Sequence, residues 1–153
     1  MKKTESVRLA PPIYVCGIDP GPKPGVVVVS CFLGEVKSYA YFDVPAEDIV
    51  GWIKTQDKIA YWAVERYQIR PVRNSSQSAQ TLTLTQAEAC RAAAQDLPQT
   101  RVVQFLPPGS VKPWATDDRL KEFGVRLDNR HHRDAARHAL YLASKMHFVK
   151  WGA

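Results

Sequence analysis

Val15-Cys16-Gly17-Ile18-Asp19-Pro20-Gly21 is the stretch on which the reading of this sequence turns. The apolar run from Ile13 to Ile18 is short and continuous, the pattern of a buried strand. It stops at a carboxylate followed by Pro-Gly, a strong turn signal. Asp19 is therefore placed at the carboxyl end of a core strand, where a sheet opens to solvent. Past the turn, Gly25 to Val29 is rich in β-branched residues and reads as a second strand, paired with the first in a hairpin. An aspartate at such a shoulder can simply cap the turn. It carries chemistry only if the chain brings partners to the same place.

Working outward, Val36 to Val44 reads as a third strand near the sheet edge, ended by Pro45. Ala46 to Gln56 follows a helical pattern with Ile49, Trp52 and Ile53 on one face. Ile59 to Val64 is nearly all apolar, as suits a central strand covered on both faces, and it ends at Glu65. A polar loop follows, Arg66 to Gln77, then a helix from about Ser78 to Gln95. Arg101 to Leu106 is a fifth strand, broken by Pro107-Pro108-Gly109. Val111 to Phe123 holds one or two short helices, with Thr116 placed to N-cap the second. Arg130 to about Phe148 is a long, alanine-rich amphipathic helix. Three strands in a meander followed by alternating helices and strands imply an α/β fold: a mixed five-stranded sheet, antiparallel then parallel, flanked by helices on both faces.

A chain of 153 residues with 45% hydrophobic and 24% charged residues suits one domain with an ample core. Residues 1–10 read as a flexible basic leader and 11–153 as the domain. No apolar run is long enough to span a bilayer, so no membrane partner is expected. Cys16, Cys31 and Cys90 are far apart and fall in apolar patterns, as expected of buried free thiols in a reducing compartment. No CxxC pair offers a thiolate zinc site. The net charge is +6, concentrated in Arg66 to Arg73, Lys112 to Lys121 and Arg126 to Arg137, which points to a polyanionic partner.

Two core strands thus end in acids, Asp19 and Glu65. The last helix opens with Arg130-His131-His132-Arg133-Asp134-Ala135-Ala136-Arg137-His138, where His131 and Asp134 share a face. Three carboxylates and an imidazole at one end of a sheet form an oxygen-rich set suited to Mg²⁺ or Mn²⁺. Two such ions about 4 Å apart can activate a water and stabilise the leaving oxygen of a phosphodiester. Without cations, converging carboxylates repel, and at least one should have a raised pKa. Asp134 could instead pair with Arg130 or Arg137, and His132 or His138 could serve in place of His131.

The ordered set Gly17-Ile18-Asp19-Pro20-Gly21, Ala63-Val64-Glu65 and His131-x-x-Asp134-Ala135-Ala136 resembles the RuvC-type Holliday junction resolvases of the ribonuclease H-like superfamily. Leu84-Thr85-Gln86-Ala87 is similar to that family's Leu-Gly-Gln-Ala segment, and Ser110-Val111-Lys112 stands at the matching place after the fifth strand. The resemblance runs from about Ile13 to the C-terminus. It implies a ribonuclease H-like nuclease domain and a crossover junction endodeoxyribonuclease, a phosphodiester hydrolase leaving a 5′-phosphate and a 3′-hydroxyl. It implies two Mg²⁺ ions per site, with Mn²⁺ able to substitute, held by Asp19, Glu65, His131 and Asp134 as metal ligands and catalytic residues. It further implies four-way DNA as substrate, a homodimer formed through the Ser78 to Gln95 helix, and residence in the cytoplasm of a prokaryotic or phage-infected cell. Nucleic-acid contacts are expected from Arg66, Tyr67, Arg70, Arg73, Asn74, Lys112, Arg119 and Lys121. The sequence departs from the family after Lys112, where Pro113-Trp114-Ala115 replaces a glycine-rich turn, and at Gln68, where an aromatic is common. Alternative readings are a nuclease for other branched DNA, flaps or RNA/DNA hybrids, and a non-catalytic nucleic-acid-binding module.

Overall fold

The computed structural model describes residues 11–70 and 77–150. The leader at 1–10, and Arg73 and Asn74 among the expected nucleic-acid contacts, lie outside the described residues. Five strands form one mixed sheet: β1 (Ile13–Asp19), β2 (Gly25–Phe32), β3 (Glu35–Asp43), β4 (Tyr61–Glu65) and β5 (Val102–Leu106), in the order β3-β2-β1-β4-β5. β1 pairs antiparallel with β2 and parallel with β4; β2–β3 is antiparallel and β4–β5 parallel. The helices are α1 (Ile49–Lys54), α2 (Gln77–Asp96), α3 (Pro108–Val111), α4 (Asp117–Glu122) and α5 (Arg130–Lys145).

Strand periodicity sorts the core into two layers. Cys16, Ile18, Val26, Trp62 and Val64 face α1 and α2, packing with Ile49, Ile53, Cys90 and Ala94. Val15, Val27, Val29 and Ala63 face the other way and pack with Ala135, Ala136, Ala139, Leu140 and Ala143 of α5. The same alternation carries Gly17, Asp19 and Glu65 onto the α5 face. α5 comes very close to the sheet there. A Cβ on Gly17 would lie 1.8 Å from the carbonyl oxygen of Ala135, and one on Gly25 would lie 2.1 Å from that of His131. Only glycine admits a helix backbone at this distance. The fully buried Ala135, Ala136, Ala139 and Ala143 are the helix's half of the same fit.

The expected elements are present with shifted ends. β1 runs one residue further, through Asp19, because that residue still pairs with Gly25. β4 starts at Tyr61, yet Ala60 O already accepts from Arg101 N and Val102 N, and Trp62 Nε1 bonds Ile59 O. The expected helix from Ala46 is a 3-10 turn at Ala46–Asp48 leading into α1. α5 stops at Lys145 instead of reaching Phe148. His147 sits in the left-handed region, φ 60°, and the Phe148 and His147 amides bond back to Ala143 O and Ser144 O. That is a Schellman stop made without glycine, so the sequence carries no glycine signal for it. The cysteines are buried and unbonded. No helix among the described residues is long and apolar enough to cross a membrane.

The glycine fit predicts a sharp contrast. Gly17→Ala should cost about 3 kcal/mol or more, because backbone, not a movable side chain, meets the new methyl. Gly51→Ala, with nothing within 4 Å of its Cβ, should be neutral or stabilising by up to about 1 kcal/mol. Urea denaturation of both variants checks this. Equal stability of Gly17→Ala and wild type would contradict the close approach.

Candidate active site

The acids meet because of register. β1 and β4 run parallel with Ile18 opposite Val64, so Asp19 and Glu65 are the next pair along, on the face that α5 covers. α5 starts above that pair. Asn129 caps it, its Oδ1 accepting from the amides of His131 at 2.8 Å and His132 at 3.3 Å. A cap of this type contributes about 1 kcal/mol, and here it also sets where His131 emerges. His131, Asp134 and His138 then form one stripe at spacings of three and four. His131 Nδ1 lies 3.0 Å from Asp19 Oδ2. Asp19, Glu65, His131 and Asp134 together line a cleft of about 330 Å³.

Its electrostatics are dominated by crowded acid. Asp19 is 7% exposed, and its carboxyl is pushed up to about 9, chiefly by burial and then by the charges of Glu65 and Asp134. A hydrogen bond shared with Glu65 also favours its protonated form, while Lys112 pulls the other way. Asp134 is flanked by Arg137 Nε at 3.4 Å and Arg130 Nε at 4.0 Å. The bland reading of Asp134 as a helix ion pair is therefore met geometrically, but the same residue faces the cleft. Among the described residues, no group of three or more His, Cys, Asp or Glu stands ready-made as a metal cage. The donor set nonetheless suits a hard divalent cation. It is oxygen-rich, it carries one imidazole, and the buried Glu65 Oε2 has no hydrogen-bond partner among the described residues. A cation among these acids would replace the proton on Asp19 and offset the repulsion.

The three candidate histidines separate by direction. His131 reaches Asp19 and the cleft. His132 is buried on the other side of the Gly25 contact, with Nε2 3.0 Å from Asp43 Oδ1 and its ring against Tyr41. His138 is buried one turn deeper, with Nε2 3.4 Å from Glu65 Oε2, a contact that lacks hydrogen-bond geometry. It backs Glu65 without lining the cleft.

The expected nucleic-acid contacts are partly gathered. Tyr67, Arg70 and Lys112 line the cleft, joined by Gln68 and Arg130. Arg66 is held by its amide to Leu106 O and is not among the lining residues. The guanidinium of Arg119 lies over the Trp114 ring, 4.9 Å from its centroid, and Lys121 lines a separate recess. Two residues with no assigned role in the sequence reading shape the walls. Gln80 grips Arg70 at both backbone groups, at 2.7 and 2.9 Å, and Gln86 grips Gly21 likewise, at 2.9 and 3.1 Å. Nothing local in the sequence signals these reciprocal bonds, which span 10 and 65 residues. Asn129, by contrast, carries the N-cap signal of an asparagine just before a helical pattern.

The shift on Asp19 has a sign. Its folded-state pKa of about 9 exceeds the ordinary 3.8, so folding takes up a proton between those values. The stability this group supplies is complete below about pH 4 and is lost as pH rises toward 9. In chelator, Asp19→Asn should therefore be more stable than wild type, and the gap should widen from about pH 5 to about pH 9. Melting curves across that range check it; parallel pH profiles would contradict the buried-acid account.

Comparison with known proteins adds the fold. No protein-family model matches this chain, and neither does any curated protein. Among solved structures, that of Thermus thermophilus RuvC is similar, with a TM-score of 0.56 and 20% sequence identity, covering 90% of this chain and 99% of that one. The mixed sheet order and its helical layers are thus those of a RuvC-like, ribonuclease H-like fold.

Proposed function

We propose that this protein is a metal-dependent nuclease that cuts branched DNA at four-way junctions. The observation that carries the reading is the convergence of Asp19, Glu65, His131 and Asp134 in one cleft that also holds Arg70, Lys112 and Arg130. The ordered motif resemblance to junction resolvases supports it, and so does the fold. Asp19, Glu65, Asp134 and His131 are the residues that would hold two Mg²⁺ ions, with Mn²⁺ able to substitute. Bound there, the cations supply Lewis-acid stabilisation of charge building on phosphate oxygens. The chain's own residues do the rest. Lys112 and Arg70 hold the phosphate and neutralise it. Asp19 keeps the His131 ring oriented through the 3.0 Å contact. Tyr67, at the cleft wall, contacts the sugar or base beside the cut.

Residues 11–153 form the catalytic domain in this reading, preceded by the basic leader. Paired nicks on opposing strands need two sites related by a two-fold axis, so the active species is a homodimer. α2 presents Leu82, 72% exposed, on its free face and is the surface for that contact. The setting is the cytoplasm of a prokaryotic or phage-infected cell.

Cleavage of a labelled mobile four-way junction with Mg²⁺ tests the reading. Wild type should give paired nicks. Asp19→Asn and Asp134→Asn should bind the junction but cut at least about a hundredfold more slowly. Binding with no cleavage, in Mg²⁺ and in Mn²⁺, would favour a non-catalytic nucleic-acid module. Gln68, polar at the cleft wall, favours a second reading in which flaps, other branched DNA or RNA/DNA hybrids are substrates. Equal cutting of four-way, three-way, flap and hybrid substrates would replace junction selectivity with that one.

A further inference from the structure

Two further recesses continue from the cleft along the start of α5. The first, about 380 Å³, shares Lys112, Arg130 and Asp134 with the cleft and adds Arg133 and Arg137. The second, about 410 Å³, shares Asp117 and Arg133 with the first and adds Lys121 and Arg126. Shared wall residues set the three depressions side by side, a row of adjoining recesses that together outline a channel. The two recesses are lined by six basic side chains and three carboxylates, Asp117, Asp128 and Asp134; of these, Lys112, Arg130 and Asp134 also line the cleft. Two of these acids are already engaged: Arg137 binds both Asp117 and Asp134.

The basic groups divide into braced and exposed ones. Arg137 also donates to Ala115 O at 2.6 Å, so it braces the wall between α5 and the α3–α4 connection. Arg133 Nη1 donates to Leu127 O at 3.2 Å and Asp128 O at 2.6 Å, which fixes the loop before α5. Arg130 is 78% exposed at its side chain, and Lys112, Lys121 and Arg126 are exposed. A braced wall with exposed cations along it suits an extended polyanion, whose charges recur along its length, better than a single small anion.

We infer that the channel from Lys112 and Arg130 to Lys121 and Arg126 is the path of the nucleic-acid backbone leaving the cleft. It deepens the nuclease reading and rests on it. Lys112 and Arg130 take the phosphate next to the cut, and Lys121 and Arg126 take phosphates farther along the same arm. Affinity should therefore grow with arm length until the far recess is covered.

The test is equilibrium binding of junctions with short and long arms, without divalent cation, over a range of salt. The variants are Lys121→Gln/Arg126→Gln at the far end and Arg70→Gln in the cleft. For the long-arm junction, the far-end variant should lose about two units of the salt-dependence slope, about 0.9 per phosphate contact. It should bind short arms as wild type does, and so lose the gain from lengthening. Arg70→Gln should weaken both junctions and keep that gain. An unchanged slope and length dependence in the far-end variant, with Arg70→Gln weakened, would overturn the path alone. Failure of wild type to bind any junction would overturn the path and the nuclease reading together.

Discussion

The backbone of α5 rests directly on β1 and β2, and the site depends on that contact. Gly17 and Gly25 are the two places where the strands give up a side chain so that the helix can descend. The descent puts His131 over β2, lets it reach Asp19 at 3.0 Å, and points Asp134 into the same cleft. It also sends His132 to the far side, onto Asp43 of β3. A methyl at either glycine would lift the helix, and Asp19, His131 and Asp134 would separate with none of them substituted. Packing and chemistry are thus one constraint in this region.

That constraint gathers charge as well as atoms. Burial raises the cost of ionising Asp19, and Glu65 and Asp134 raise it further. Lys112 relieves part of this from across the cleft. A site of this kind holds stability in reserve that a bound cation can return, as strained functional sites commonly do. The backing of the acids fits the same logic. His138 lies buried against Glu65, and Gln80 and Gln86 hold the two loops that carry Arg70 and Gly21. The two glutamines carry no charge, so they hold these loops alike whether the acids are protonated or ionised.

Much of this was legible in the sequence because a short continuous apolar run is a local signal. The run into Asp19 and the run into Glu65 each announced a core strand with an acid at its end, and parallel pairing of neighbouring strands did the rest. The three- and four-residue spacing of His131, Asp134 and His138 was equally plain. What the sequence left open was direction. Spacing and motif favour His131, but His132 and His138 stay open as alternatives until the glycine contacts fix the helix's rotation. The arginines were harder still. Arg66, Arg70 and Arg130 are not told apart by sequence: the course of the loop after β4 puts Arg70 in the cleft, and the seating of α5 puts Arg130 there. The grip of Gln80 left no trace in any local pattern, and Gln86, though part of the Leu84 to Ala87 motif, showed nothing there of its bonds to Gly21.

The proposed function stands or falls with cation binding by the acids of the cleft. Titration calorimetry of the purified protein with Mn²⁺, without nucleic acid, addresses it directly. The account predicts saturable binding of two ions per chain, reduced in Asp134→Asn and abolished in Asp19→Asn while both variants stay folded. Wild-type protein that takes up no Mn²⁺, or variants that bind it as wild type does, would contradict the assignment and leave the buried carboxylates as a purely structural feature.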